Sequence, residues 1–272
     1  MEEKEQEYVK ASFEDVAGKY DEIPFFKISA KYVVDIIKQE KQDEVLEILD
    51  VACGTGNVVL PCASCMPQAN FDAMDISEGM LEKAEQNARR DGIENITFHL
   101  QDITKLDSTK KYDVITCGYA LFFLPDAPGV LKVLVSLLKE GGMVIFSTFT
   151  AKAFAPSDEI LLPLLKKYGA STAQAYEMGK WENLQTTRDI EKLCQLAEVE
   201  NAEITSKEIR YGMSVDEWWE LLNNTGYKGM LMELNDEDYE HLKNEYYEAM
   251  FKHCDMDGEV ELIADSYFSV VS

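Results

Sequence analysis

"LDVACGTGNVV", residues 49–59, joins the end of an apolar segment to a helix-like stretch through a turn that contains two glycines. Closely spaced glycines let a ligand approach bare backbone. No Lys-Ser or Lys-Thr follows Gly56, which excludes a phosphate loop for a triphosphate. Val59 stands where a dinucleotide loop carries its third glycine, which weakens a nicotinamide or flavin interpretation. The turn is therefore predicted to follow a buried strand and to hold a ligand without a pyrophosphate.

Three aspartates mark the ends of three successive predicted strands around this turn. They are Asp50, Asp75 and Asp102. Ligands of parallel sheets bind beyond the carboxyl ends of the strands, so these carboxylates are expected to converge on one site. Asp50 suits a cationic group, Asp75 the two hydroxyls of a ribose, and Asp102 an adenine edge. Each could instead cap the following helix or turn. Taken together they indicate a ligand with an amine or sulfonium, a ribose and an adenine, which is S-adenosylmethionine.

Strand-like and helix-like segments alternate over the first 150 residues, which predicts an α/β fold with a parallel sheet and right-handed crossovers. Predicted helices cover 8–20, 24–40, 58–66, 78–92, 127–142, 214–226 and 236–254, and residues 151–200 are expected to be mostly helical. Predicted strands cover 44–51, 70–77, 96–103, 112–123, 143–149, 201–211 and 259–271.

The composition limits the classes of partner. The net charge is −25 and neither half of the chain is basic, which argues against nucleic-acid binding. The charge is interpreted mainly as a source of solubility, and it would also favour a cationic ligand. No run of 18 apolar residues exists, so no membrane span is expected, and the charged N-terminus predicts a cytoplasmic protein. Cys62 and Cys65 form an isolated C-x-x-C pair, interpreted as core packing, and no metal site is expected.

Five segments between residues 45 and 150 resemble, in order and spacing, the motifs of class I S-adenosylmethionine-dependent methyltransferases, in particular the small-molecule branch. The segments are "VLEILDVACGTGN", "FDAMDISEGMLEKA", "ITFHLQDITKLD", "YDVITCGYALFFLPD" and "LLKEGGMVIFSTF". The resemblance implies a Rossmann-like, mostly parallel seven-stranded sheet with helices on both faces and an antiparallel last strand. It also implies four regions: an N-terminal helical lid (1–42), the cofactor-binding core (43–150), a helical insertion over the acceptor site (151–200), and C-terminal strands and helices that complete the sheet (201–272).

The resemblance implies cofactor roles for residues of the lid and of the strand ends. Asp50 and the backbone of the turn would face the methionine part, Asp75 the ribose, and Asp102 the adenine amine. Tyr119 would lie near the transferring methyl, and Tyr20 would reach the carboxylate end. The full set of expected cofactor residues is Tyr20, Asp50, Ala52, Cys53, Gly54, Gly56, Asp75, Ile76, Met80, Asp102, Ile103, Gly118 and Tyr119.

This sequence departs from the family pattern at two places. Ala52 replaces the first glycine of the turn, a modest change if its φ is negative. Phe122 and Phe123 stand where related enzymes often have histidines, so no general base is evident. Candidates for the acceptor pocket are Tyr119, Phe122, Phe123, Tyr176 and Trp181, with Trp218 and Trp219 also considered. Phe149 and one of the two tryptophans are interpreted as core packing.

The sequence thus predicts methyl transfer from S-adenosylmethionine to a small-molecule acceptor by in-line displacement, driven mainly by proximity and orientation. The alternative is a catalytically inactive S-adenosylmethionine-binding module that acts through a partner. An oxidoreductase is disfavoured by Val59, and an aminopropyl transferase by the absence of an acidic motif after the fourth strand. The acceptor molecule, its reacting atom and the oligomeric state remain open.

Overall fold

A computed structural model describes residues 18, 20, 23–41, 45–106, 108–171 and 184–272. Its centre is a seven-stranded sheet. The strands lie in the spatial order Ile96–Leu100 (β3), Asn70–Asp75 (β2), Glu47–Val51 (β1), Tyr112–Gly118 (β4), Leu138–Phe149 (β5), Ser266–Val271 (β9) and Ala202–Lys207 (β6). Strands β1 to β5 are mutually parallel, and β9 runs antiparallel to both β5 and β6. The α/β fold with a mostly parallel sheet and an antiparallel last strand is confirmed.

The elements have the following bounds. The helices are α1 Pro24–Glu40, α2 Val59–Cys65, α3 Glu78–Asp91, α4 Ala127–Ser136, α5 Ser157–Lys167, α6 Thr187–Leu196, α7 Val215–Asn223, α8 Tyr227–Leu231 and α9 Asp236–Met250. The strands are β1 Glu47–Val51, β2 Asn70–Asp75, β3 Ile96–Leu100, β4 Tyr112–Gly118, β5 Leu138–Phe149, β6 Ala202–Lys207, β7 Arg210–Ser214, β8 Glu259–Ile263 and β9 Ser266–Val271. Short 3₁₀ turns cover Ile103–Lys105, Leu121–Phe123 and Phe251–His253.

The strongest local signals place the βα units correctly. The Ser77 hydroxyl caps α3 by accepting from the Met80 amide, and Gly92 ends the helix in the left-handed conformation. The central strands β1 and β4 are buried on both faces, as their continuous apolar sequence requires. The predicted helix at 8–20 lies almost entirely outside the described residues.

Two predicted boundaries around β4 and β5 are wrong. The strand expected at 112–123 ends at Gly118, and a 3₁₀ turn follows. The helix expected at 127–142 ends at Ser136, and β5 already begins at Leu138. The pair Gly141-Gly142, expected to stop the helix, lies inside β5 where the pairing with β4 shifts register, and Gly141 has a φ of 71°. The glycines therefore lie in an irregular part of the β4–β5 pairing and do not cap the helix.

Two predicted single strands are each divided in two. The segment 201–211 forms β6 and β7, and 259–271 forms β8 and β9. Strands β7 and β8 pair with each other in a separate two-stranded sheet. Asp265 stands at the division, where its Oδ1 accepts from the Ile209 amide at 3.0 Å and its Oδ2 from Arg210 Nη2 at 2.6 Å.

The two-stranded sheet and the helices α5, α7, α8 and α9 form a cap with its own apolar core. Trp218 is fully buried in this core and donates from Nε1 to the Val260 carbonyl at 3.2 Å. Trp219 packs against Tyr239 and Tyr246. The predicted serine cap of the helix at 214–226 is present as a capping box on α7, but Gly226 precedes the short helix α8 and does not end α7. Within the described segments, no helix has the length and apolar character needed to cross a bilayer.

Candidate functional site

The glycine turn after β1 is held by Asp75 at the end of β2. Asp75 Oδ2 accepts from the Gly54 amide at 2.8 Å, and its Oδ1 accepts from the Ser77 amide at 2.9 Å. Burial raises the pKa of this carboxyl, against the lowering effect of these hydrogen bonds. Asp75 is only 9% exposed. The two strand ends are therefore tied together before any ligand binds.

Two residues of the turn differ from expectation. Ala52 has a φ of 52°, so the condition under which its replacement of glycine would be modest is not met, and an alanine occupies a conformation that favours glycine. Gly56, expected to contact the cofactor, faces the first turn of α2, where an added Cβ would lie 2.7 Å from Leu60 Cδ1. Gly56 therefore permits close packing of the turn on the helix, and it is not among the residues that line the cavities described below.

A cavity of about 880 Å³ opens at the carboxyl ends of β1 to β4. Ten of the thirteen expected cofactor residues line it: Tyr20, Ala52, Gly54, Asp75, Ile76, Met80, Asp102, Ile103, Gly118 and Tyr119. The structure adds Ser77, Gln101, Thr104, Ala120, Phe123 and Leu124, all close in sequence to the expected ones. We call this space the strand-end cavity.

Asp50 and Cys53 line a smaller adjoining recess of about 420 Å³, which shares Ala52, Gly54 and Gly118 with the strand-end cavity. Asp50 is 1% exposed, and its Oδ1 accepts from Thr116 Oγ1 at 2.6 Å. Its Oδ2 has no hydrogen-bond partner among the described residues. Burial raises the pKa of Asp50 to about 7. A buried carboxylate oxygen without a partner suits a positively charged ligand group.

Asp102 caps the turn after β3 and also lies at a cavity wall. It lines the strand-end cavity, and its Oδ1 accepts from the Thr104 amide at 2.8 Å and from Thr104 Oγ1 at 2.7 Å. Burial raises the pKa of this carboxyl, but the bonds from Thr104 and the Lys105 ammonium outweigh burial, so the net pKa lies below its usual value. The turn cap keeps Asp102 ionised and fixed in direction at the mouth of the cavity.

Tyr119 forms a wall between two cavities and is held there by the fold. Its φ is 52°, and its hydroxyl is hydrogen-bonded to Ser29 Oγ at 2.6 Å and to Ser266 Oγ at 2.9 Å. Burial raises the pKa of this hydroxyl to about 12. The ring stacks on Phe149, with 4.3 Å between centroids. The Tyr119 hydroxyl is engaged on both sides, so Tyr119 acts as a surface and not as a base.

Beyond Tyr119 lies a second cavity of about 850 Å³, here called the aromatic cavity. Nine of its sixteen lining residues are aromatic: Tyr20, Phe25, Phe26, Tyr119, Phe122, Phe123, Phe149, Phe154 and Tyr227. Tyr20, Tyr119 and Phe123 line both cavities, so the two spaces adjoin.

The structure places the candidates for the acceptor pocket in different parts of the molecule. Tyr119, Phe122 and Phe123 line the aromatic cavity, and so does Phe149, which also packs against the apolar core of the cap. Tyr176 and Trp181 lie outside the described residues. Trp218 and Trp219 belong to the core of the cap and do not line the aromatic cavity.

Several residues of the aromatic cavity carry no sequence signal for that role. Phe25 and Phe26 lie in the first turn of α1, directly after Pro24. Asp158 at the start of α5 accepts from the Tyr227 hydroxyl at 2.6 Å, although 69 residues separate the two. Of the described residues that line this cavity, Asp158 alone carries a formal charge, and none is lysine, arginine or histidine.

Comparisons with known proteins agree with this geometry. The chain matches the family described as methyltransferase domain over residues 42–225. It is 36% identical over 126 residues to a malonyl-[acyl-carrier protein] O-methyltransferase of Halalkalibacterium halodurans, an alignment that covers 45% of this chain and 46% of that protein. It is 25% identical over 193 residues to a demethylmenaquinone methyltransferase of Geobacillus stearothermophilus, covering 66% of this chain and 81% of that protein.

Among solved structures, the plantazolicin methyltransferase BpumL in complex with SAH has a TM-score of 0.55 and 17% identity. The superposition covers 99% of this chain and 98% of that one, and it shows a shared fold. The alignment with the malonyl relative spans about half the length of that protein.

Proposed function

Because the chain belongs to the methyltransferase-domain family, we propose that it binds S-adenosylmethionine in the strand-end cavity and transfers its methyl group to a small molecule in the aromatic cavity. The observation that carries this proposal is the junction of the two cavities at Tyr20, Tyr119 and Phe123. A donor and an acceptor bound on either side of this junction would face each other directly.

The residues of the strand-end cavity and of its adjoining recess fit S-adenosylmethionine. The unpartnered Oδ2 of buried Asp50 matches the ammonium of the methionine part. Asp75 already accepts two amide hydrogen bonds, but each carboxylate oxygen can accept a second bond, here from a ribose hydroxyl. Asp102, with Ile76 and Ile103 beside it, suits an adenine. When bound, the cofactor would supply a methyl group on a sulfonium, whose neutral thioether is a good leaving group.

This chain's own contribution to the reaction is positioning and exclusion of water. Holding two reactants in line can lower the activation barrier by about 7–11 kcal/mol. Tyr119 fixes one wall through its two serine hydrogen bonds, and Phe149 stacks behind it. The aromatic side chains exclude water from the acceptor and from the methyl group. Amines and thiolates, which need no added base once deprotonated, fit this arrangement.

The predicted regions contribute residues to different parts of the two cavities. Region 43–150 supplies most of the strand-end cavity. Region 151–200 supplies Phe154 and Asp158 to the aromatic cavity, and region 201–272 supplies Tyr227. We retain these boundaries, and the cytoplasmic location, as predictions.

Calorimetric titration with S-adenosylmethionine and S-adenosylhomocysteine tests the cofactor part of the proposal. We expect micromolar binding of both ligands and its loss in Asp75→Ala. Asp91→Ala removes an exposed carboxylate from the same βα unit and should bind like the wild type. Thermal melts of each variant separate lost binding from lost folding, because Asp75 also holds the turn.

The outcomes of this titration are distinct. If neither ligand binds to folded wild-type protein, the proposal is wrong. Binding followed by no formation of S-adenosylhomocysteine with amine, thiol and phenol acceptors would favour the inactive, partner-dependent alternative.

A further inference from the structure

We propose that Tyr119 and Phe154 are the specificity-determining residues for the acceptor, and that they select a molecule with a flat aromatic ring. Both residues line the aromatic cavity, and both have a backbone conformation that bulky side chains rarely adopt. The inference rests on the proposed function, because it names the class of acceptor that this cavity selects and the residues that select it.

Left-handed backbone conformations at non-glycine residues are concentrated around the cavities. In the part of the chain that the structure describes, four such residues have a positive φ: Ala52, Tyr119, Phe154 and Glu198. The first three line the strand-end cavity, the aromatic cavity or both, while Glu198 follows α6. A positive φ costs free energy in a residue with a Cβ, and it persists where the surrounding structure enforces it, most often at functional sites. The fold therefore imposes the positions of the Tyr119 and Phe154 rings.

Backbone hydrogen bonds to other elements hold both residues in this conformation. The Tyr119 amide donates to the carbonyl and to the hydroxyl of Ser147 on β5, at 3.1 and 3.2 Å. The Phe154 amide donates to the Ile263 carbonyl at the end of β8, at 2.7 Å. These bonds set the direction in which each ring leaves the backbone before any ligand binds.

Phe149 joins the two rings into one wall. It stacks on Tyr119 with 4.3 Å between centroids and an interplanar angle of 18°, and it meets Phe154 edge-on at 4.8 Å and 69°. Phe25 meets Phe149 and Phe154 edge-on as well, at 5.6 and 6.0 Å. The wall therefore combines ring faces and ring edges. An aromatic guest gains from contacts with both, whereas a saturated ring gains only from leaving water.

The two residues differ in which cavities they line. Tyr119 also lines the strand-end cavity, whereas Phe154 lines only the aromatic one of the cavities that the described residues form. Walls that are already fixed lose little freedom when a guest of matching shape binds. A change at Phe154 should therefore alter the selection of the acceptor without altering the binding of the methyl donor.

A matched pair of alcohols tests the assignment. Naphthalene-2-methanol and decahydronaphthalene-2-methanol share one carbon framework and one hydroxyl, and only the first is aromatic. Each is titrated by calorimetry into protein saturated with S-adenosylhomocysteine, and again into the unloaded protein. The saturated alcohol has more apolar surface, so burial alone would make it the tighter ligand. We expect the aromatic alcohol to bind at least about fivefold more tightly.

Phe154→Leu removes the ring and keeps an apolar side chain at the same place. We expect the preference for the aromatic alcohol to fall below about twofold, with unchanged affinity for S-adenosylhomocysteine. Phe154→Met, whose flexible side chain fills irregular space, should give the same result and is the second variant if Phe154→Leu does not fold. Phe146→Leu is the matched control, because it removes a buried ring of β5 that lines neither cavity and should leave the preference intact.

Tyr119→Leu tests the other ring. Because Tyr119 lines both cavities, this variant should lower the preference below about twofold and also weaken the binding of S-adenosylhomocysteine by at least about threefold. Thermal melts of every variant establish that it is folded before its affinities are compared.

Three results would overturn the inference: the saturated alcohol binds as tightly as the aromatic one, neither alcohol binds, or the preference persists in the folded variants of Phe154 and Tyr119. Failure of the proposed function looks different, because S-adenosylhomocysteine itself would then not bind. The titrations into unloaded protein would still report whether the aromatic cavity prefers an aromatic ring.

Discussion

Ala52 shows how a single residue carries strain at the candidate site. Its φ of 52° costs a non-glycine residue about 1 kcal/mol. We therefore expect Ala52→Gly to raise the free energy of unfolding by about 0.5–1 kcal/mol in urea titrations. Ala73→Gly is the control, because Ala73 is buried in β2 without a positive φ. This variant should lower the free energy of unfolding by about 1 kcal/mol. Destabilisation by both changes to the same degree would contradict the strain at Ala52.

Asp50 predicts a pH dependence of stability. Burial raises its pKa from 3.8 to about 7, so the folded protein binds this proton more tightly than the unfolded chain. Stability is then lost as the pH rises from about 4 to about 7, and the loss levels off above that range. Asp50→Asn keeps an acceptor for Thr116 but cannot ionise.

We expect the stability of Asp50→Asn relative to wild type to increase by about 3 kcal/mol between about pH 5 and pH 8. Urea unfolding of both proteins at the two pH values measures this difference. Asp91→Asn should show no such difference, since Arg90 holds the pKa of the exposed Asp91 below its usual value and this carboxyl is ionised in both folded and unfolded protein throughout the range. A constant difference between wild type and Asp50→Asn would show that Asp50 does not titrate in this range.

At the scale of elements, the sequence predicted best where one local signal sufficed. Ser77 and Gly92 delimit α3 because caps act within a few residues. Gly141 and Gly142 misled the prediction, since a glycine pair can end a helix or lie in an irregular part of a strand, and only the pairing with β4 decides between them. The division of the strands at Asp265 depends on partners 55 and 56 positions away, which no local pattern reveals.

At the scale of the whole molecule, the distance in sequence between neighbouring residues explains why one cavity could be predicted and the other could not. The strand-end cavity is built from residues beside consecutive strand ends, so the order of βα units was enough to find Asp50, Asp75 and Asp102. The aromatic cavity joins α1, the end of β5, α5 and α8, which are far apart in sequence. Asp158 and Tyr227 come together only in the folded cap, 69 residues apart in sequence. No local pattern in a single sequence predicts this contact.

The net charge of −25 belongs to the molecule as a whole and predicts a response to salt. Like charges repel in the compact state and separate on unfolding, so screening them stabilises the fold. The screening length falls from about 30 Å at 0.01 M salt to about 8 Å at 0.15 M, well below the size of the protein. We expect the free energy of unfolding in urea to rise by at least about 1 kcal/mol over this range.

A triple variant is the control for this salt effect. It combines Glu82→Lys, Glu140→Lys and Glu248→Lys, which change three exposed residues and reduce the negative charge by six, so its response to salt should be smaller. An equal response in both proteins would assign the effect to salt acting on apolar surface, while a fall with salt would mean that the ion pairs of the fold outweigh its repulsion.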